Sequence, residues 1–388
     1  MNIFRLAFAL CMITTAVNLQ APLYAALATA SGLGVGASTL AFACYVLGVL
    51  PVLLALSGLT DRLGRRPLIL AALSLALIAT ALTLLSPGLV ILGVARFLMG
   101  VGTALTSAVA PVYMLELYRG TDTRIPSTWV TASTSLGFGF GAAVTSLFVL
   151  QSPSLTPPSL WLYLGAGSLA IMIVATLPDA ASRQPTSSML RLPAYPSGAI
   201  TFGLAILLAW ATVGVVIAIL PSVLATHGLS AWAGFATFGI CSGGVLFQPW
   251  ARRLSPRASV QLGLGILPLA YTLIAWGALQ GSLVAALLGA IAASSACYGF
   301  VYLGGLSGVM ALASSADKAR ASAGFFLMAY LGFSLPVIIT GVLIDAFGQS
   351  AALTCFGVVL AIGSVGVGVS LRYSKSWLLN HLPFKNHF

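Results

Sequence analysis

From Leu68 to Leu85 eighteen consecutive residues carry no charge. As a helix rising 1.5 Å per residue this run is about 27 Å long, close to the roughly 30 Å hydrocarbon core of a bilayer. Backbone N–H and C=O groups in lipid must be satisfied internally, which leaves only helices or closed barrels as spanning structures. Barrel strands alternate apolar and polar residues in segments of about ten, and this run does not alternate, so it reads as a helix. Composition extends the argument to the whole chain. Of 388 residues, 59% are apolar and only 6% are charged, which excludes an ordinary soluble domain. About 229 apolar residues suffice for eleven or twelve helices of about 20.

The formal charge of +11 would suit a nucleic-acid binder only if the basic residues shared one face. They are instead dispersed in seven groups about 60 residues apart: Arg5; Arg62, Arg65 and Arg66; Arg119 and Arg124; Arg183 and Arg191; Arg252, Arg253 and Arg257; Lys318 and Arg320; Arg372, Lys375 and Lys385. That interval is two membrane crossings and a turn. Seven groups bound six hairpins, hence twelve spans, expected near 5–28, 37–57, 67–86, 89–114, 127–150, 159–177, 199–224, 231–250, 259–279, 283–313, 322–344 and 350–371. The turns near 29–37, 86–88, 151–158, 226–230, 280–282 and 345–349 hold no Lys or Arg. Cations in short loops favour the cytoplasmic side, so both termini are expected inside a cytoplasmic membrane. Nucleic acid is excluded as a partner; the lipid bilayer is one.

The segment 178–198 contains Pro178, Pro185, Pro193 and Pro196 with several Ser, a linker composition. It predicts an all-α polytopic protein of two six-helix halves, 1–177 and 199–371, with a tail over 372–388 at the inner leaflet. The start, with Arg5 before an apolar run, is expected to be a retained first helix and not a cleaved signal peptide. Glycines at small-residue spacing, Gly137, Gly139 and Gly141 or Gly304, Gly305 and Gly308, allow membrane helices to approach closely.

Cys11, Cys44, Cys241, Cys297 and Cys355 all fall inside spans without C-x-x-C spacing, and His227, His381 and His387 lie in a turn and the tail. Buried thiols are therefore expected, with no metal site and no cofactor. No G-x-x-x-x-G-K-[ST] sequence is present, which excludes ATP hydrolysis by a P-loop in this chain. No intramembrane carboxylate or histidine pair suggests an enzyme.

The first basic loop reads Gly58-Leu59-Thr60-Asp61-Arg62-Leu63-Gly64-Arg65-Arg66-Pro67. From Asp61 to Arg66 it resembles the signature G-x-x-x-D-R-x-G-R-R/K of the major facilitator superfamily, with Ser57 at the signature's first position and Gly58 one place after it. The resemblance implies twelve helices, alternating access and a substrate site at the midplane between the halves. It also implies a gate in which Gly58 admits a neighbouring helix, Asp61 caps the eleventh helix, and Arg65 pairs with Glu116 at the end of the fourth. Arg62, Gly64 and Arg66 complete that loop. Arg96-Phe97-Leu98-Met99-Gly100-Val101-Gly102 looks like the second superfamily motif, R-x-x-x-G-x-G. Arg96 lies roughly 12 Å deep and is the one cation well inside a span, a functional candidate for substrate or ion coupling; the alternative is a structural arginine bonded to carbonyls of the first helix.

The resemblance to the superfamily implies that helices 1, 4, 7 and 10 line the cavity. They contribute Asn18, Gln20 and Tyr24, then Arg96, then Trp210, then Tyr298 and Tyr302 as candidate substrate contacts. In span 11, Tyr330 and Ser334 precede Pro336, which can bend the helix. The glycine run in span 5 lacks the proline of drug antiporters, and Ala251 to Arg257 repeats the loop signature only faintly.

These features predict a monomeric secondary transporter, not an enzyme, with a small-molecule substrate. Proton-coupled efflux of an amphipathic or drug-like solute is expected, with Asp345 as the nearest candidate coupling carboxyl; uptake or uniport of a small anionic metabolite is the alternative. A receptor that kept the fold without transport is the reading from a different class.

Overall fold

The computed structural model describes residues 2–55, 63–122, 124–179, 192–315 and 317–373. Gly58, Asp61 and Arg62, most of the linker and the tail from residue 374 lie outside them. Among the described residues twelve helices are long and apolar enough to cross a membrane: α1 (Asn2–Ser31), α2 (Gly34–Leu54), α3 (Arg65–Leu85), α4 (Leu89–Leu117), α5 (Ile125–Gln151), α6 (Pro158–Ala175), α7 (Ala199–Ala225), α8 (Ser230–Ala251), α9 (Pro256–Leu279), α10 (Leu283–Leu312), α11 (Lys318–Phe347) and α12 (Gln349–Tyr373). Each end lies within four residues of its expected position. No strand occurs among the described residues, and the protein is an all-α multi-pass membrane protein.

Prolines divide two of the spans. In α1 a helix over Asn2–Asn18 gives way to a 3₁₀ turn at Ala21–Leu23 and a short helix over Tyr24–Ser31. Pro22 has no N–H for the Asn18 carbonyl, so the i to i−4 ladder stops there. In α7 the break falls between Ala199–Ala218 and Leu220–Ala225, where Pro221 leaves the Ile217 carbonyl without its helical donor. By contrast α11 is one element through Pro336. The tenth span carries a π turn over Ser295–Val301.

Burial separates inner from outer helices. In the most apolar stretch of each span, 89% of residues are buried in α1, 78% in α7, 67% in α10 and 61% in α4, against 33% in α6 and α12. The first four therefore form the interior, and α3, α6, α9 and α12 present large apolar side chains such as Leu85, Leu269 and Ile362 outward. Cys241 and Cys297 are buried and Cys11 and Cys44 half-buried, but Cys355 is exposed on α12; burial was expected of all five, and the lipid-facing side of a peripheral helix accounts for the difference.

Glycine decides how closely the helices approach. A Cβ on Gly100 of α4 would lie 2.1 Å from the Tyr45 carbonyl oxygen of α2, and one on Gly141 of α5 would lie 2.1 Å from the Thr15 carbonyl oxygen of α1. Helix association in lipid depends on such packing because lipid offers no hydrophobic drive.

Candidate functional site

Arg96, on α4, is fully buried. Its Nη1 donates to the Val17 carbonyl at 2.5 Å and its Nε to the Phe42 carbonyl at 3.4 Å. The guanidinium also lies 4.6 Å from the centroid of the Phe42 ring and 4.8 Å from that of Tyr45. A desolvated cation on aromatic faces contributes up to about 2 kcal/mol per pair. Helical propagation stops at Asn18, so the last carbonyls of that segment lack partners. The structure thus gives Arg96 the carbonyl-bonded arrangement that the sequence left as the alternative, while its Nη2 has no protein partner.

Asn18, Gln20 and Tyr24 all lie at the break in α1 and are buried. Asn18 Nδ2 donates to the Phe138 carbonyl of α5 at 2.8 Å and reaches the Cys241 sulfur of α8 at 3.8 Å. Gln20 Nε2 donates to Thr83 Oγ1 of α3 at 2.7 Å, so it faces away from the last six helices. The Tyr24 ring meets Phe42 edge-on at 6.2 Å. Asn18 Oδ1, Gln20 Oε1 and the Tyr24 hydroxyl have no protein partner. Buried polar groups left this way cost about 1–3 kcal/mol each, so the break in α1 retains unused hydrogen-bonding capacity.

The expected aromatic residues of α7 and α10 come together. The Trp210 ring lies 4.9 Å from Tyr298 and 5.7 Å from Tyr302, and Tyr302 lies 6.3 Å from Phe326 of α11. All three of the expected residues are half-buried. Tyr298 sits on the π turn, and such turns recur at functional positions. Cys241 of α8 is the side chain through which Asn18 reaches the last six helices. Sequence reasoning missed Cys241 in this role, and it missed the second aromatic set, where Tyr45 of α2 meets Tyr330 at 6.4 Å and Phe333 at 6.0 Å on α11. Phe42 and Tyr45, three apart on one helix face, were the available signal.

At the end that carries the basic groups, Arg65 pairs with Glu116 at 3.4 Å. Gly64 has φ +85, a left-handed conformation that favours glycine at this position of the loop. Arg66 donates from Nη1 to the carbonyls of Ala175 and Leu177, both at 3.2 Å, and so closes the end of α6 where a cation complements the helix dipole. Asp179, which the sequence reading did not single out, accepts from the Arg66 N–H at 3.5 Å.

The opposite, cation-poor end is closed by contacts between the first six and last six helices. Asp345 of α11 accepts from the backbone N–H groups of Val35 and Gly36 at the start of α2. Gly234 N donates to Ser146 Oγ at 3.0 Å, and deeper in, Ser242 Oγ donates to the Ser135 carbonyl at 2.7 Å. The residues after the break in α1 pack on the end of α7. Asp345 is exposed at this end and does not join the Arg96 cluster. Among the described residues no group of His, Cys, Asp and Glu could hold a metal ion.

The fold is similar to that of several solved transporters. The nucleoside transporter NupG superposes with a TM-score of 0.77 at 14% identity, covering 96% of this chain and 100% of that one. A POT family transporter in complex with 5-aminolevulinic acid gives 0.71 at 15%, covering 96% and 95%. The human organic anion transporter MFSD10 (TETRAN) gives 0.63 at 18%, covering 94% and 98%. No curated protein matches the sequence significantly. Residues 6–335 match the family described as Major Facilitator Superfamily, and the chain belongs to that superfamily: a multi-pass membrane transporter of a small solute, not an enzyme.

Proposed function

We propose that the protein exports a small amphipathic organic solute by alternating access, in exchange for protons. The observation that carries the substrate class is the Trp210, Tyr298 and Tyr302 wall on α7 and α10, with the polar break of α1 and Arg96 on the other interior helices. A flat apolar part stacks on the rings, and a polar group meets Asn18 and the free Nη2 of Arg96. Residues 1–177 and 199–371 act as the two halves, joined by the linker 178–198. The basic end is cytoplasmic, by the charge bias of short loops, and the chain works as a monomer in the cytoplasmic membrane. The Arg65–Glu116 pair, with Asp61 and Gly58, then forms the cytoplasmic gate, and the described conformation is closed on the far side.

One observation favours a second reading. The described carboxylates all lie at helix ends or in loops, whereas Arg96 is a cation at membrane depth, so uniport of a small anion is the competing possibility. The test is reconstitution into liposomes with an imposed pH gradient, offering cationic dyes, nucleosides, short peptides and small carboxylates while lumenal pH is recorded. Solute movement coupled to a lumenal pH change is expected. Movement without one removes proton coupling, and the absence of movement or binding for every solute class removes the transport assignment.

A further inference from the structure

At the cation-poor end a cleft of about 300 Å³ lies on the seam between the first six and the last six helices. Thr29 of α1 and Val35 of α2 line it from one half, and Ser222 and Ala225 of α7, Asp345 of α11 and Gln349 of α12 from the other. Helix ends open the space. Gly32 stops α1 in a left-handed conformation at φ +66, and Ser222 follows the break of α7 at Pro221. The volume is at the lower end of the range of small-molecule sites, about 300–1,000 Å³. Asp345 is the one charged residue in the lining, so the cleft is anionic.

The hydrogen-bonding state of the polar lining decides what fits there. Thr29 Oγ1 donates its hydrogen to the Ala25 carbonyl at 3.0 Å, and Gln349 Nε2 donates to the Ser222 carbonyl at 3.3 Å. The oxygens of both side chains are left to accept. Asp345 accepts the Val35 and Gly36 N–H groups at 2.9 and 2.7 Å, which occupies two of its roughly four lone-pair directions. Ser222 is 8% exposed, and its hydroxyl has no partner in the protein. Every polar side chain of the cleft therefore offers an acceptor, and one adds a negative charge. The complementary ligand is a cation with several N–H donors. A divalent metal ion takes about six oxygen ligands at close range, whereas an ammonium group is satisfied by three acceptors. The apolar lining at Val35 and Ala225 suits a short alkyl body.

We propose that this cleft binds a primary organic ammonium ion, with its N–H donors on Asp345, Ser222 and the neighbouring acceptors and its alkyl body against Val35 and Ala225. The lining comes from both halves, so the site is whole only while this end is closed. A ligand that binds one of two conformations shifts the population toward it, and the ammonium therefore holds this end shut. The site shares no residue with the Trp210, Tyr298 and Tyr302 wall. Binding stands on the cleft alone; the effect on transport rests on the alternating-access reading above.

The test titrates n-butylammonium chloride into the full-length protein near neutral pH, by calorimetry, beside sodium chloride, tetramethylammonium and butanol. Saturable one-to-one binding of butylammonium is expected. Tetramethylammonium lacks N–H donors and butanol lacks charge, and each should bind at least about tenfold more weakly. Asp345→Asn should weaken butylammonium binding by about tenfold or more. Because that change also alters the contact between α11 and α2, Ala225→Phe is the second variant; it fills the cleft, keeps the four polar side chains, and should weaken binding as much. The site is overturned by the absence of saturable binding, by sodium or tetramethylammonium binding as tightly, or by either variant binding as the wild type does. In liposomes, butylammonium at the face bearing the cleft should lower the transport rate at saturating solute, and an unchanged rate overturns the closing effect. Binding without transport of any solute keeps the site and removes the export reading; transport without butylammonium binding removes the site alone.

Discussion

Arg96 on α4 donates a 2.5 Å hydrogen bond to the Val17 carbonyl of α1, one residue before that helix stops. A single cation therefore fixes a break in the most deeply buried span, and it does so between two aromatic rings of α2. Hydrogen bonds to charged groups contribute about 1.5–3 kcal/mol, so Arg96→Ala should destabilise the protein by about 2–4 kcal/mol and abolish transport. Arg96→Lys keeps the charge but loses the planar fork and its stacking, and should retain only part of both. Thermal unfolding in detergent, run beside transport, checks this. A loss of transport with unchanged unfolding temperature would assign Arg96 to substrate alone.

Trp210 should affect affinity more than stability. It is half-buried and contacts Tyr298 and Tyr302. Trp210→Ala removes stacking worth about 0.5–1.5 kcal/mol per aromatic pair, so the Kd for a transported aromatic solute should rise by about tenfold. Trp210→Phe should restore most of it. Equilibrium binding to both variants measures the effect.

The Arg65–Glu116 pair should be separable by charge exchange. Its side chains are 11% and 27% exposed, so the coupling is expected near 1 kcal/mol and not the several of a fully buried pair. Arg65→Glu and Glu116→Arg should each slow transport, and the double exchange should recover part of the rate. A double-mutant cycle on transport rate reads the coupling.

Gly100→Ala and Gly141→Ala each place a Cβ 2.1 Å from a neighbouring carbonyl oxygen. Overpacking of this kind costs about 1–3 kcal/mol, and folded yield should fall sharply. Gly165→Ala, with nothing within 4 Å of the added Cβ, should be neutral or stabilising by up to about 1 kcal/mol through helix propensity. Size-exclusion profiles of the three variants separate these outcomes.

The candidate site was legible where chemistry could be read from residue type and depth. Arg96 stood out as an isolated cation in a span, and Trp210, Tyr298 and Tyr302 as aromatics at mid-span, and the last three do meet. Gln20 could not be sorted from Asn18 in the same way. Only two residues apart, they turn to opposite neighbours, Thr83 of α3 and Phe138 of α5, as positions about 200° apart around a helix do, and packing alone decides which neighbour each one meets.

The sequence by itself determined the twelve spans, their ends and the basic and cation-poor faces. Transfer into lipid costs so much for a charge or an unpaired backbone group that composition along the chain dictates where helices begin and end. Tertiary structure alone decided what those few polar groups do. Arg96 bonds a carbonyl at the end of the first segment of α1, and Asp345 caps a helix 310 residues away in the chain. Neither partner has any periodicity or motif, because both are backbone groups brought within reach by packing of glycine-bearing helices.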